Sequence, residues 1–130
     1  MTTVLLDSHV LHWWSSEPER LSRAAAEAVT RADELAVASI SWFDLAWLAH
    51  RERIVVAVPI GSWLQGLAEQ VRTIGTTPAV AATAVSLPAS FPGDPADRLI
   101  YATAIEQGWS LITKDERLRR HKQPRKITIW

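Results

Sequence analysis

Five aspartates stand where this chain could do chemistry: Asp7, Asp44, Asp94, Asp97 and Asp115. Asp7 follows the apolar run Val4-Leu5-Leu6, and Asp115 follows Leu111-Ile112 across Thr113-Lys114. Asp44 falls in the first turn of the helix entered from Leu35-Ala36-Val37-Ala38, while Asp94 and Asp97 open the helix that leads into Leu111. Apolar runs of this kind are strands buried on both faces of a parallel sheet, whose C-terminal ends share one edge where ligands bind. Carboxylates gathered at that edge repel one another unless a cation sits among them. With no cysteine in the chain, the cation would be held by oxygen or imidazole. Oxygen ligands select hard divalent ions, Mg²⁺ or Mn²⁺, which activate water and stabilise charge in phosphoester hydrolysis.

Each acid also has a purely structural explanation. Asp7 suits the N-cap of the first helix, and Asp94 the N-cap of a helix with Pro95 at its first position and Asp97 at its third. Asp44 suits the N3 acid of a Ser41-Trp42-Phe43-Asp44 capping box, and Asp115 with Glu116 a box begun by Thr113. Capping accounts for each acid singly and leaves their convergence unexplained. Ser8 and Thr113 offer hydroxyls that would orient a phosphate or a water, or cap a helix. Arg98, beside Asp97, offers either charge for a phosphate or a structural ion pair. His9 and His12 lack a third nitrogen ligand and make no zinc constellation, so packing is their expected role.

The elements that must position these groups alternate between strand and helix. A strand ending at Leu6 is followed by a helix from Ser8 to Trp14, a break at Ser16-Glu17-Pro18-Glu19, and a helix from Ser22 to Ala32. A strand at Leu35–Ala38 leads into a helix reaching about His50, and Ile54–Val58 reads as an extended connector stopped by Pro59. Helix 62–70, strand 71–74 and helix 78–87 follow. Leu87-Pro88-Ala89-Ser90-Phe91-Pro92 is a loop, free to carry Asp94 and Asp97 back to the edge where the other acids lie. The helix from Pro95 stops at Gly108, residues 110–113 form a fourth strand, 115–120 a short helix, and 126–129 an edge strand. The expected fold class is α/β with a mainly parallel sheet of four to five strands.

At 130 residues the chain is one domain with room for a substantial core. No apolar run reaches the length of a membrane span, and the N-terminus lacks a signal peptide's basic region. Together with the absence of cysteine, this predicts a cytoplasmic protein without membrane attachment. Zero net charge argues against nucleic-acid binding by bulk electrostatics, yet residues 114–130 hold seven basic side chains against two acids. That segment suits a phosphate backbone, an acidic partner or a solvated helix face. Seven tryptophans are expected mostly in the core. Trp13, Trp14, Trp42 and Trp47 cannot all face inward on short helices, and the remainder suit a partner groove, a homodimer interface or an unpaired base.

Four motifs in order resemble the PIN-domain ribonucleases of the VapC toxin type. They are Leu5-Leu6-Asp7-Ser8-His9-Val10-Leu11-His12-Trp13, Ser39-Ile40-Ser41-Trp42-Phe43-Asp44-Leu45-Ala46, Gly93-Asp94-Pro95-Ala96-Asp97-Arg98-Leu99-Ile100 and Thr113-Lys114-Asp115-Glu116-Arg117. The resemblance covers nearly the whole chain, residues 1–130 as a single PIN domain. It implies a PIN-like three-layer α/β/α sandwich, a Mg²⁺-dependent endoribonuclease acting on RNA, and neutralisation by a cognate VapB-type antitoxin. Carried over by motif, Asp7 and Asp97 would be the principal metal ligands, Asp115 would complete the acidic pocket, and Asp94 is the adjacent acid. The family usually has Glu where this chain has Asp44, one methylene shorter. That departure leaves open an alternative, a PIN-like domain that binds RNA or protein and cuts weakly or not at all. A phosphoacceptor receiver wants an acid pair after its first strand and a haloacid-dehalogenase phosphatase a second Asp two residues on. Ser8 and His9 stand there instead.

Overall fold

Thr3-Val4-Leu5-Leu6 is buried along its whole length, so strand β1 (Thr3–Leu6) must be covered on both faces. A computed structural model, describing residues 1–122 and 125–130, shows how. β1 is the middle strand of a five-stranded sheet of order β3-β2-β1-β4-β5, with β2 at Glu34–Ala38, β3 at Arg72–Ile74, β4 at Ser110–Ile112 and β5 at Thr128–Ile129. Every pairing is parallel. Strand side chains alternate between faces, and the core divides accordingly. Leu5, Ala36, Ala38 and Leu111 join one buried cluster, while Val4, Leu6, Val37 and Ile112 join the other.

The second cluster is closed by α1 (Ser8–Ser16), α2 (Arg23–Arg31), α3 (Ile40–His50) and α4 (Ile60–Ala68), through Val10, Leu11, Ala25, Leu45 and Leu67. The first is closed by α6 (Pro95–Gln107), which buries Ile100, Tyr101 and Ala104 against the sheet. α5 (Pro78–Ser86) packs outside α6, with Val80 and Ala84 against Ala102. Small residues let α6 lie close to both neighbours. It ends at Gly108, whose φ of 72° is the left-handed conformation that glycine adopts without strain. The outcome is the expected three-layer α/β/α arrangement.

Several element bounds differ from the sequence reading for local reasons. α4 starts at Ile60, two residues early, because Pro59 with φ −55° and ψ 143° serves as its cap residue. The break after α1 holds a 3₁₀ turn at Pro18–Arg20. β5 is only Thr128–Ile129, although Leu111 N–H still bonds the Ile127 carbonyl at 2.9 Å. Residues 87–92 form a loop as expected, and it returns the chain to the C-terminal edge of the sheet before α6 begins. The tryptophans depart more from expectation: none of the seven is fully buried, and Trp47 is 49% exposed. Indole is large and carries an N–H that needs a partner, so it settles at the rim of a core. Trp42 Nε1 finds Thr73 Oγ1 at 3.1 Å.

Arg98 makes no ion pair among the described residues and is engaged by backbone carbonyls instead. Its guanidinium donates to the carbonyls of Ala84, Leu87, Pro88, Phe91 and Pro92 at 2.9–3.2 Å. A loop with few backbone partners for its carbonyls needs such a donor, and the five N–H groups of arginine match it. Arg98 thereby ties the α5–α6 connection and fixes where α6 starts. Arg98→Met keeps the aliphatic stem and removes every donor. It is expected to lower unfolding free energy by about 2 kcal/mol, measured by urea denaturation; a variant sharing the wild-type midpoint would contradict the clamp.

Candidate active site

The C-terminal edge of the sheet opens into a cleft of about 590 Å³. Asp7, Asp44, Asp94, Asp97 and Asp115 all line it, so the acids converge as the parallel topology requires. Asp7 caps α1: Oδ1 accepts from the Ser8 backbone N–H at 2.8 Å, and Oδ2 accepts from the buried Thr113 hydroxyl at 2.6 Å. Thr113 Oγ1 also accepts from the Asp115 N–H at 3.1 Å, linking the two strand ends that carry Asp7 and Asp115. Asp115 caps α7 (Glu116–Arg119). Asp94 caps α6 through the Ala96 N–H at 2.8 Å, and Asp97 stands at the third helical position. The caps are therefore real, and the same carboxylates face the cleft.

Asp44 is the exception. α3 starts at Ile40, so Asp44 lies in its second turn, and the Ser41–Asp44 capping box is not formed. Ser41 is buried, and its Oγ lies 3.0 Å from Ser8 Oγ, which is 3.0 Å from Asp44 Oδ2. The Ser8 hydroxyl is the donor to both, and its single proton is shared between Ser41 Oγ and the more strongly accepting Asp44 carboxylate. Ser8 and Thr113 thus orient carboxylates from beneath. Asp44 is held towards the cleft by α1 and caps nothing.

Arg117 was not singled out as a site residue, yet it lines the cleft beside the acids. Its Nη2 lies 2.6 Å from Asp115 Oδ2 and 3.1 Å from Asp97 Oδ2, and its Nε lies 3.1 Å from Asp115 Oδ1. An arginine two residues after an acidic N-cap can fold back on that cap, and this spacing is its mark in the sequence. Lys114, His9, Trp13, Trp47 and Leu48 complete the walls. Lys114 Nζ sits 5.8 Å from the Trp13 ring centroid, a cation–π approach. Farther along the basic segment, Arg119, Arg120, Lys122 and Lys126 line a second concavity with Glu116. Positions 123 and 124 of that segment lie outside the described residues.

Burial and mutual repulsion set the electrostatics. Burial raises Asp97 to about 6, Asp94 and Asp7 add repulsion, and Arg117 opposes the rise. Asp7 and Asp44 are raised mainly by burial, against the hydrogen bonds from Thr113 and Ser8. Asp115 moves the other way, because the Arg117 hydrogen bonds stabilise its charged form. An oxygen-only set of desolvated, mutually repelling carboxylates fits a hard divalent cation. Among the described residues no three acids or imidazoles are already gathered as a closed coordination cluster. Asp7, Asp97 and Asp115 are the cleft acids that the motif resemblance assigns to such an ion, with Asp44 beside them.

The raised groups give a signed expectation for the metal-free protein. Asp97 has a folded value near 6 against an ordinary 3.8, so its stabilising contribution is complete below pH 4 and lost as pH rises through 6. Asp7 and Asp44 act in the same direction, and Asp115, being lowered, opposes them. Asp97→Asn removes a charge whose burial is unfavourable and keeps the shape. In EDTA at pH 7 its thermal midpoint should equal or exceed the wild type's, and stability should fall less between pH 4 and 6. A clear drop in midpoint at pH 7 would show that the Arg117 pair outweighs desolvation.

Comparison with known proteins agrees with this geometry. Residues 4–123 match the family model described as PIN domain. The chain is 72% identical to Ribonuclease VapC22 of Mycobacterium tuberculosis, with 100% of both chains covered. Solved structures of similar fold include VapBC2 from Rickettsia felis bound to a promoter DNA fragment, with TM-score 0.70 and 15% identity over 98% of this chain and 97% of that one. Others are VapBC-1 from nontypeable Haemophilus influenzae, with TM-score 0.65 and 17% identity over 88% of each, and a toxin–antitoxin complex from Klebsiella pneumoniae, with TM-score 0.63 and 20% identity over 86% of each. At those identities the solved structures support the fold alone. Among the described residues no helix is long and apolar enough to cross a membrane. With its fold, its acidic edge and a full-length relative in agreement, this chain belongs to the PIN-domain family.

Proposed function

We propose that this chain is a divalent-metal-dependent endoribonuclease and the toxin of a toxin–antitoxin pair, acting in the cytoplasm with Mg²⁺ or Mn²⁺. The observation that carries the reading is the cleft lined by Asp7, Asp44, Asp97 and Asp115 in a chain 72% identical to a ribonuclease. Hydrolysis adds one water across one P–O bond of RNA. A bound divalent ion supplies an activated water and neutralises charge on the phosphodiester. The chain's own residues do the rest. Thr113 and Ser8 hold the Asp7 and Asp44 carboxylates in fixed rotamers, which avoids reorganisation during the reaction. Lys114 and Arg117 bring positive charge to the walls for the substrate phosphates. The exposed, stacked pair Phe43 and Trp47, 6.1 Å apart on α3, supports a protein partner beside the cleft: a VapB-type antitoxin or a second copy in a homodimer.

The alternative, a PIN-like domain that binds without cutting, rests on Asp44 in place of Glu. Asp44 keeps its carboxylate on the cleft and held by Ser8, which favours the enzyme. Cleavage of single-stranded RNA with and without EDTA tests the reading. Asp97→Asn should reduce Mg²⁺-dependent cleavage at least about 100-fold, the scale of losing one preorganised charged group. Asp44→Glu restores a reach of about 1.5 Å and should lower the Mg²⁺ concentration for half-maximal cleavage. A wild-type protein that binds RNA and never cuts it in Mg²⁺ or Mn²⁺ would establish the binding module instead.

The separate concavity lined by Arg119, Arg120, Lys122 and Lys126 lies on α7 and the segment after it, and its charge suits the RNA backbone. Neutralising Arg119, Arg120 and Lys122 together should weaken RNA binding and reduce the slope of log K against log salt by about 2, from three phosphate contacts at ~0.7 each. An unchanged slope would make this surface a solvated face only.

A further inference from the structure

Two cations line the acidic cleft, Lys114 and Arg117, and they are held differently. Lys114 stands over the Trp13 ring. Arg117 is committed to the acids: among the described residues, all its side-chain hydrogen bonds go to Asp97 and Asp115. Its backbone N–H also bonds Asp115 Oδ1 at 2.9 Å, so α7 is capped and clamped by the same carboxylate. The side chain is nevertheless 57% exposed, whereas Asp97 and Asp115 are 17% and 24% exposed. The guanidinium therefore lies on the solvent side of the two acids it holds.

We propose that Arg117 is a built-in counter-cation of the acidic cleft, holding Asp97 and Asp115 in the metal-free protein and competing with the divalent ion for them. The inference rests on the metal-dependent reading above and adds a residue that sets metal affinity. The geometry supports it twice. Arg117 spans acids delivered by two separate elements, the start of α6 and the end of β4, which is the bridge a metal would make. It also engages both oxygens of Asp115, so a metal approaching that carboxylate competes with the arginine for its lone pairs. A planar fork can contact two carboxylates at once; an ammonium acts as a point charge.

Calorimetric titration of the full chain with MnCl₂ tests this without reference to activity. Arg117→Gln should bind Mn²⁺ about three- to tenfold more tightly than wild type, the scale of breaking partly exposed ion pairs. In EDTA the same variant should have a lower thermal midpoint, and Mn²⁺ should raise that midpoint further than in wild type. Arg117→Lys keeps the charge without the fork and should fall between the two. Lys114→Gln removes an equal charge from the cleft wall and should tighten binding less. If Arg117→Gln binds Mn²⁺ no more tightly than wild type, the competition is overturned while the metal site stands. Equal tightening in Lys114→Gln also overturns it, because a general field effect would then suffice. A wild-type chain with no saturable Mn²⁺ binding overturns the metal site itself and this inference with it.

Discussion

Repulsion among carboxylates at the C-terminal edge of a parallel sheet is the constraint that organises this molecule. Parallel pairing puts the ends of β1, β2 and β4 on one side, and each end leads into a helix that carries an acid at its cap or within its first two turns. The α5–α6 loop, tied by Arg98, brings α6 to the same edge although no strand precedes it directly. Like charges a few ångströms apart in a half-buried cleft would destabilise the fold if left alone.

The chain meets that constraint with hydrogen bonds from beneath and a cation from above. Thr113 and Ser8 donate to Asp7 and Asp44 from the buried side, where water cannot compete. Arg117 reaches Asp97 and Asp115 from the solvent side. The distribution is uneven. Asp115 receives nearly all the help and is lowered, while Asp97, with one contact to Arg117, stays raised near 6. The least compensated acid is therefore the one for which an added divalent cation has most to offer.

The sequence was legible where its local patterns had one meaning. Apolar runs ending in Asp7 and Thr113 read as buried parallel strands, and Gly-Asp-Pro as the opening of a helix, so sheet, layers and the acidic edge followed. It was less legible where a residue type has several uses. Arginine beside an active-site aspartate suggests phosphate or an ion pair, and only the tertiary path of residues 84–92 reveals five carbonyls awaiting Arg98. Ser41 matched a capping box by spacing, but helix initiation two residues earlier, with Ser39 at the cap position, left it buried against Ser8. Arg117 was hidden among seven basic residues, since charge counts carry no information about which side chain folds back on its own cap.

Helix capping and site building are one device here rather than competing explanations. An N-cap aspartate has its carboxylate fixed by a backbone N–H, and the helix dipole favours its charge. Asp7, Asp94 and Asp115 each use one oxygen this way. The second oxygen takes a further partner from an already oriented carboxylate with little rotamer freedom left to lose: Thr113 in Asp7 and Arg117 in Asp115. Asp44 and Asp97 are not caps, and both are raised by burial. Asp44 depends on Ser8 and Asp97 on Arg117, so each of these two acids is placed by a single side chain from another element. Substitution at Ser8 or Arg117 thus disturbs one acid each, whereas Thr113, bonded to Asp7 and to the Asp115 backbone, joins the two capped acids through a single hydroxyl.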